Sequence, residues 1–527
     1  MHRDSVSETS LQSRFKFKLF SNVAAVLLGL ITMAFVPRAL GPENFGKFEF
    51  ITNNFKLIFD TLTLQVPVAF FNWVSRKGHK EDTDVASGVT LHFSLIAAAL
   101  FAVFIAGTIL TGTHSLLWPG IDVPFLWEAL LFTLVVFLYQ LLVFLADGKS
   151  LTVGLERIRL LQNLLKAAIL LGLVFAGVMN LHSYFFGQVA VVALSVLLSA
   201  LWLRKQSACS ERTLAVWRFT RSEIRDYWSF AWHYAKPLTI LMAGGFLFLY
   251  FDRWFLQLIG GSVQQGYFGL SDRLGAIAFV FTSAMTPLLT REFAFAHEER
   301  NMERLVRLFE RIKLFLFIAA MISCFMSAQS ATIIKLVGGE KFKGAVLPIA
   351  IMALYPIHQT FGQLSGALLM ATGQTRLYSK IGLSMLVGSV PITYFLLAPA
   401  TYAVPGLGLG AGGLALKMVV VQLFATNIQL FCNTRYLKIS YLKWLGFQFC
   451  MIPLVYLAAQ AVSLLADEIL KRFFAELSHD VVANGIAFVG SGLAYCVLLL
   501  VLVYLLPAIA GLSRKDVDLN LLSRLGR

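Results

Sequence analysis

Long apolar runs dominate the chain. About fourteen of them recur along 527 positions, near 19–37, 48–73, 89–111, 124–146, 160–180, 184–203, 237–257, 266–289, 312–334, 345–372, 380–399, 407–431, 445–466 and 482–507. A bilayer core about 30 Å thick takes roughly 20 such residues per helix. Backbone in lipid must satisfy its own hydrogen bonds, which leaves helices or closed barrels. Barrel strands alternate apolar and polar residues over about ten positions, and these runs do not alternate. The sequence predicts an all-α polytopic membrane protein. Composition agrees, with 58% hydrophobic and 14% charged residues, where soluble domains average about 45–50% and 25%. Mean hydropathy is +0.74. A water-soluble fold could not hide so much apolar side chain. A soluble enzyme, a nucleic-acid-binding domain and a disordered chain are excluded.

The net charge of +15 has a topological reading. Of the 44 Lys and Arg residues, 32 fall in the N-terminus, the C-terminus and alternate loops, against 8 in the intervening loops. Lys56, Lys166, Arg273 and Lys417 fall within runs. Positive charge marks the cytoplasmic side, so both termini are expected in the cytoplasm and the span count is even. The longest loop on the opposite face, around 467–481, has about fifteen residues. The N-terminus superficially resembles a signal peptide. No small-x-small cleavage site is evident before Val36-Pro37-Arg38, so the first run reads as a retained span. The five cysteines form no C-x-x-C pair, which indicates neither a disulfide framework nor a zinc site.

The chain also repeats itself. Gly41-Pro42-Glu43-Asn44-Phe45-Gly46-Lys47-Phe48 and Gly261-Ser262-Val263-Gln264-Gln265-Gly266-Tyr267-Phe268 both read G-x-x-x-x-G-x-F, at an offset of 220. The same offset carries Pro67 to Pro287. Six spans separate the copies, so the two halves share one orientation, with spans 13 and 14 appended. The expected organisation is an N-terminal lobe at 1–203, a linker at 204–236, a C-terminal lobe at 237–435, and an appended pair of spans with a tail at 436–527. Two six-helix lobes in parallel repeat would enclose a central cavity. Arg218, Arg221 and Arg225 in the linker share one helical face, near Phe219, Trp228 and Trp232. That pattern suits an amphipathic helix on the membrane surface, or docking of an anionic headgroup.

The first connection, Pro37-Arg38-Ala39-Leu40-Gly41-Pro42-Glu43-Asn44-Phe45-Gly46, resembles the R-x-L-G-P-x-x-F-G signature of the polysaccharide transporter family. Similar landmarks follow in order: Asp252-Arg253, Gly266-Tyr267-Phe268, Gly338-Gly339-Glu340-Lys341-Phe342, Ala371-Thr372-Gly373-Gln374-Thr375 and Gly408-Leu409-Gly410-Ala411-Gly412-Gly413. That family holds Wzx-type O-antigen and exopolysaccharide flippases, in a superfamily shared with multidrug extruders and lipid II flippases. The resemblance covers about 38–435. It implies a bacterial inner-membrane flippase for a polyprenyl-pyrophosphate-linked oligosaccharide working by alternating access. Its partners would be that lipid-linked substrate, membrane lipids, and a polysaccharide polymerase with assembly proteins; nucleic acid is not among them.

Ionisable groups inside spans cost several kcal/mol unless they face a partner or a water-filled space. Asn53, Lys56 and Asp60 fall on one face of the second span, and Lys56 and Asp60 are i, i+4 neighbours. They read either as a neutralised structural pair or as the polar wall of a cavity. The repeat offset carries Asn53 to Arg273, beside Asp272. Arg253 follows Asp252 near the end of span 7, and Lys417 lies about ten residues into span 12. Arginine suits phosphate or uronate because its planar fork donates in pairs. Arg38, Asn53, Lys56, Asp60, Arg253, Arg273 and Lys417 are the candidates for a mildly cationic substrate path. Asp60 and Asp272 are the candidates for ion coupling. His92 and His358 also fall within spans, where packing is the commoner role for a lone histidine.

No Walker motif, H-E-x-x-H, G-x-S-x-G or metal cluster occurs, and no cofactor is implied. The alternatives to a flippase are a cation-coupled exporter of amphipathic small molecules and a membrane glycosyltransferase or ligase. The second usually carries sizeable outer loops, which this chain lacks.

Overall fold

The computed structural model describes residues 11–76, 80–149, 151–206, 219–276, 279–473 and 481–514. Among them every regular element is an α-helix or a short 3₁₀ turn. Among the described residues nine helices are individually long and apolar enough to cross a bilayer, 83–110, 123–148, 152–175, 181–205, 340–371, 375–397, 410–437, 441–469 and 481–505, or up to eleven spans against the expected fourteen if each of two bent helix pairs counts as one. Spans 1 and 2 run together in Leu11–Leu62, and span 7 runs into span 8 in Arg221–Ala276. The expected loop between spans 1 and 2 is therefore absent. One residue, Gly41, breaks the helix there.

The two breaks match. Gly41 has φ 74° and ψ 167°, and Gly261, 220 positions on, has φ 68° and ψ −173°. Only glycine takes up this region readily, because a Cβ would collide with the backbone. Phe48 and Phe268, which share the same offset, are both 3% exposed. The sequence repeat is thus a repeat of backbone conformation.

Contacts divide the chain into two compact units, 1–262 and 263–527. In the first, Phe48 packs edge-on to Tyr184 and against Phe185, and Phe59 meets Phe137. Span 7 belongs to this unit by contact, whereas its place in the sequence repeat assigns it to the second lobe. Hydrogen bonds explain the difference. Tyr250 OH, Trp254 Nε1 and Gln257 Nε2, on one face of the helix, donate to the carbonyls of Leu117, Leu116 and Pro119 at 2.9, 2.8 and 2.8 Å. Tyr227 OH meets Thr90 Oγ1 at 2.6 Å. The expected linker is only partly described, since 207–218 lie outside the described residues. From Arg221 onward it is continuous with span 7, opened by Thr220 and Glu223, whose side chains satisfy each other's backbone N–H groups. Tyr227, Ala231 and Ala235 pack inward, while Arg221, Arg225 and Trp232 are exposed.

The second unit is centred on the helix Tyr355–Ala371, buried along most of its length. Thr426 Oγ1 donates to His358 O at 3.0 Å and Asn433 Nδ2 to Ser365 Oγ at 2.7 Å, which ties it to span 12. Span 9 bends by 69° between Ala328 and Ser330. Side chains from the appended spans hold the bend: Ser463 Oγ donates to Ala328 O at 3.3 Å, and Gln329 Nε2 to Ser491 Oγ at 3.0 Å. Carbonyls released by a helix break in lipid need such donors.

Candidate translocation site

Beyond Gly41 the helix buries Phe55 and Phe59 on one side. Asn53, Lys56 and Asp60 share the other, and none of the three is buried. Lys56 Nζ lies 2.9 Å from Asp60 Oδ2, with the lysine side chain 64% exposed and the carboxylate 21%. An ion pair this open contributes only a few tenths of a kcal/mol to the fold. It also leaves the ammonium reachable by an anion while Asp60 offsets part of its charge.

One turn before Asn53 stands Glu49, 4% exposed. The Asn53 amide donates to the Glu49 carbonyl at 2.7 Å and to its carboxylate Oε2 at 3.3 Å. Glu49 lies outside the set that charge spacing in span 2 singles out. An acid four residues before Asn53, inside the same apolar run, was the available signal.

Directly after Asp60 the helix breaks. Leu64 and Gln65 have φ 48° and 56°, and the chain turns by 64° into the helix Val66–Arg76. Left-handed backbone is uncommon outside glycine, so two such residues in succession mark a local strain. Pro67 suits the restart, because first-turn N–H groups have no helical partner to lose. The released Leu64 carbonyl accepts from Thr239 Oγ1 of span 7 at 2.8 Å.

The remaining candidates divide between the units. In the first, Arg38 is half-buried in the last turn before Gly41, Asp252 is buried, and Arg253 is half-buried. In the second, Asp272 and Arg273 are half-buried, and Lys417 is only 4% exposed. Tyr355 OH donates to Gln359 Oε1 at 3.1 Å. Neither residue stands out in the sequence, since a lone tyrosine or glutamine in a span carries no charge. His92 Nδ1 meets Gly88 O at 2.9 Å, and His358 is 8% exposed. Among the described residues no three His, Cys, Asp or Glu side chains are grouped to hold a metal ion.

Residues 17–293 match the family described as polysaccharide biosynthesis protein. The chain belongs to that family. The match takes in both glycine breaks, the whole of span 2 and Arg273. No protein with a curated description matches. Among solved structures, the lipid II flippase MurJ in an inward closed conformation aligns with a TM-score of 0.63 at 13% identity, over 91% of this chain and 98% of that one. An inward-facing multidrug resistance MATE family transporter of the MOP superfamily aligns at 0.58 and 15% identity, over 79% and 94%. A MOP superfamily transporter from Pyrococcus furiosus, whose binding pocket is described as reversed in polarity, aligns at 0.52 and 16%, over 80% and 94%. At these identities the likeness is one of fold. The structures that share it are transporters and a flippase.

Proposed function

We propose that the protein flips a polyprenyl-pyrophosphate-linked oligosaccharide repeat unit across the bacterial cytoplasmic membrane for surface polysaccharide assembly. The observation that carries this reading is a polysaccharide-biosynthesis family match in a chain with the fold of a lipid flippase. The sugar-pyrophosphate head crosses by alternating access of the two units while the polyprenyl tail stays in lipid. Lys56 and Arg273, with Arg38, Arg253 and Lys417, supply positive charge for the pyrophosphate. An arginine fork pairs with two phosphate oxygens at once. Asp60 and Asp272 keep that attraction loose enough for release, and Asp60 is the group that takes up a proton if export is proton-coupled. The 32-to-8 distribution of basic residues supports cytoplasmic termini. An O-antigen unit and a polymerase partner are the specific forms this proposal takes.

Deletion tests it. Loss of surface polysaccharide with inward-facing lipid-linked repeat units accumulating is the expected result. The MATE likeness supports a second reading, a cation-coupled exporter of small molecules. Drug hypersensitivity with normal polysaccharide would select that one.

A further inference from the structure

The helix Tyr355–Ala371 carries a feature that charge counting misses. From Tyr355 to Leu369 every residue is buried except Tyr355, Gln359 and Gln363. Their spacing of four puts them in one stripe down one face, and all three are polar. A face turned to lipid looks different. On span 11 the exposed residues include Leu383, Val387 and Phe395, at 52%, 55% and 52%. A polar stripe on an otherwise enclosed membrane helix suits a water-filled space rather than lipid.

The chemistry of the stripe is specific. The Tyr355 hydroxyl donates to Gln359 Oε1 at 3.1 Å, which occupies that acceptor and leaves the Gln359 NH₂ as a donor. Gln363 adds a second primary amide one turn further on. Two amides and a phenol offer donors and acceptors with no net charge. Such a set lacks the positive charge that strengthens pyrophosphate binding and the carboxylate that would pair a drug-like cation. It suits a neutral, hydroxyl-rich group.

We propose that Tyr355, Gln359 and Gln363 hydrogen-bond the sugar hydroxyls of the lipid-linked head, a role distinct from that of the cations that meet its pyrophosphate. This deepens the flippase reading and rests on it. Once a bound head displaces the water, these amides discriminate, because a ligand lacking the matching hydroxyl leaves them unpaired.

The test uses the purified full-length protein and two ligands: bare undecaprenyl pyrophosphate and the same carrier bearing the host's repeat unit. Gln359→Leu and Gln363→Leu are compared with wild type, alongside melting temperatures. Tyr355→Phe, which removes one hydroxyl, covers the case in which a leucine variant fails to fold. The expected result is an affinity loss of about tenfold for the glycan-bearing ligand per lost hydrogen bond, with bare carrier bound as by wild type. Equal weakening toward both ligands, or no weakening toward either, overturns the proposal. A wild-type protein that binds neither ligand refutes the flippase reading itself, an outcome distinct from both.

Discussion

Gly261→Ala isolates the repeated backbone break from everything packed around it. A Cβ built at Gly261 meets no heavy atom within 4 Å. The whole cost is therefore conformational, an alanine forced to φ 68° and ψ −173°. Holding a residue in so sparsely populated a region costs on the order of 1–3 kcal/mol. Gly244 and Gly245 provide the control. They lie in the same helix at ordinary helical angles, and a Cβ there also meets nothing within 4 Å. Alanine at either should stabilise by about 0.5–1 kcal/mol, because glycine loses more freedom on becoming helical. The two substitutions are chemically identical and should move stability in opposite directions. SDS unfolding of the full-length protein in mixed micelles measures both. Gly41→Ala, at φ 74° and ψ 167°, should behave like Gly261→Ala. If Gly261→Ala is as stable as wild type, or shifts in the same direction as Gly244→Ala, the strained-break account fails.

Four other perturbations have defined outcomes. Thr239→Val strips the donor from the Leu64 carbonyl and should cost about 1 kcal/mol in the same unfolding assay, with Thr239→Ser close to wild type. A double-mutant cycle of Gln329→Ala and Ser491→Ala should return a coupling of about 0.6 kcal/mol, the usual size for a hydrogen bond between membrane helices. Arg273→Ala and Lys417→Ala should impair polysaccharide export in a complementation assay at immunoblotted wild-type levels, with Arg273→Lys partly active because the fork is lost; normal export from both alanine variants would remove the cationic path. Asp60→Asn should reduce export while barely altering stability, since its partner Lys56 is mostly exposed; full export would leave that carboxylate a structural role only.

The all-helical fold was legible because lipid imposes one rule on every span, and nine of the apolar runs form helices that pass as spans by themselves. The repeat was legible through Gly41 and Gly261, since backbone that only glycine tolerates leaves a mark in sequence. The packing of span 7 was not. It depends on Tyr250, Trp254 and Gln257 finding the carbonyls of Leu117, Leu116 and Pro119, and nothing local to either segment records that pairing. The break after Asp60 was equally hidden. Leu64 and Gln65 carry no turn signature, and their left-handed backbone persists while Thr239, 175 positions away, caps the released carbonyl. Charged candidates stood out in apolar runs, but Glu49 went unread and the Tyr355–Gln359–Gln363 stripe had no charge to reveal it.

The two halves keep the backbone device and change what it carries. The offset that matches Gly41 to Gly261 and Phe48 to Phe268 also sets Thr52 against Asp272, Asn53 against Arg273, and Lys56 against Ala276. Were these side chains there to hold the break, selection on the break would have kept them alike. Their divergence separates two jobs. The glycine breaks bend both halves at the same place in the repeat. The polar groups beside them differ. The first copy carries the exposed Lys56 paired with Asp60, and the second carries Asp272 and Arg273 in the helix after its break. If that division holds, exchanging Asn53 and Arg273 should cost export far more than stability, because both side chains are half-buried and neither sets the backbone angle at its break.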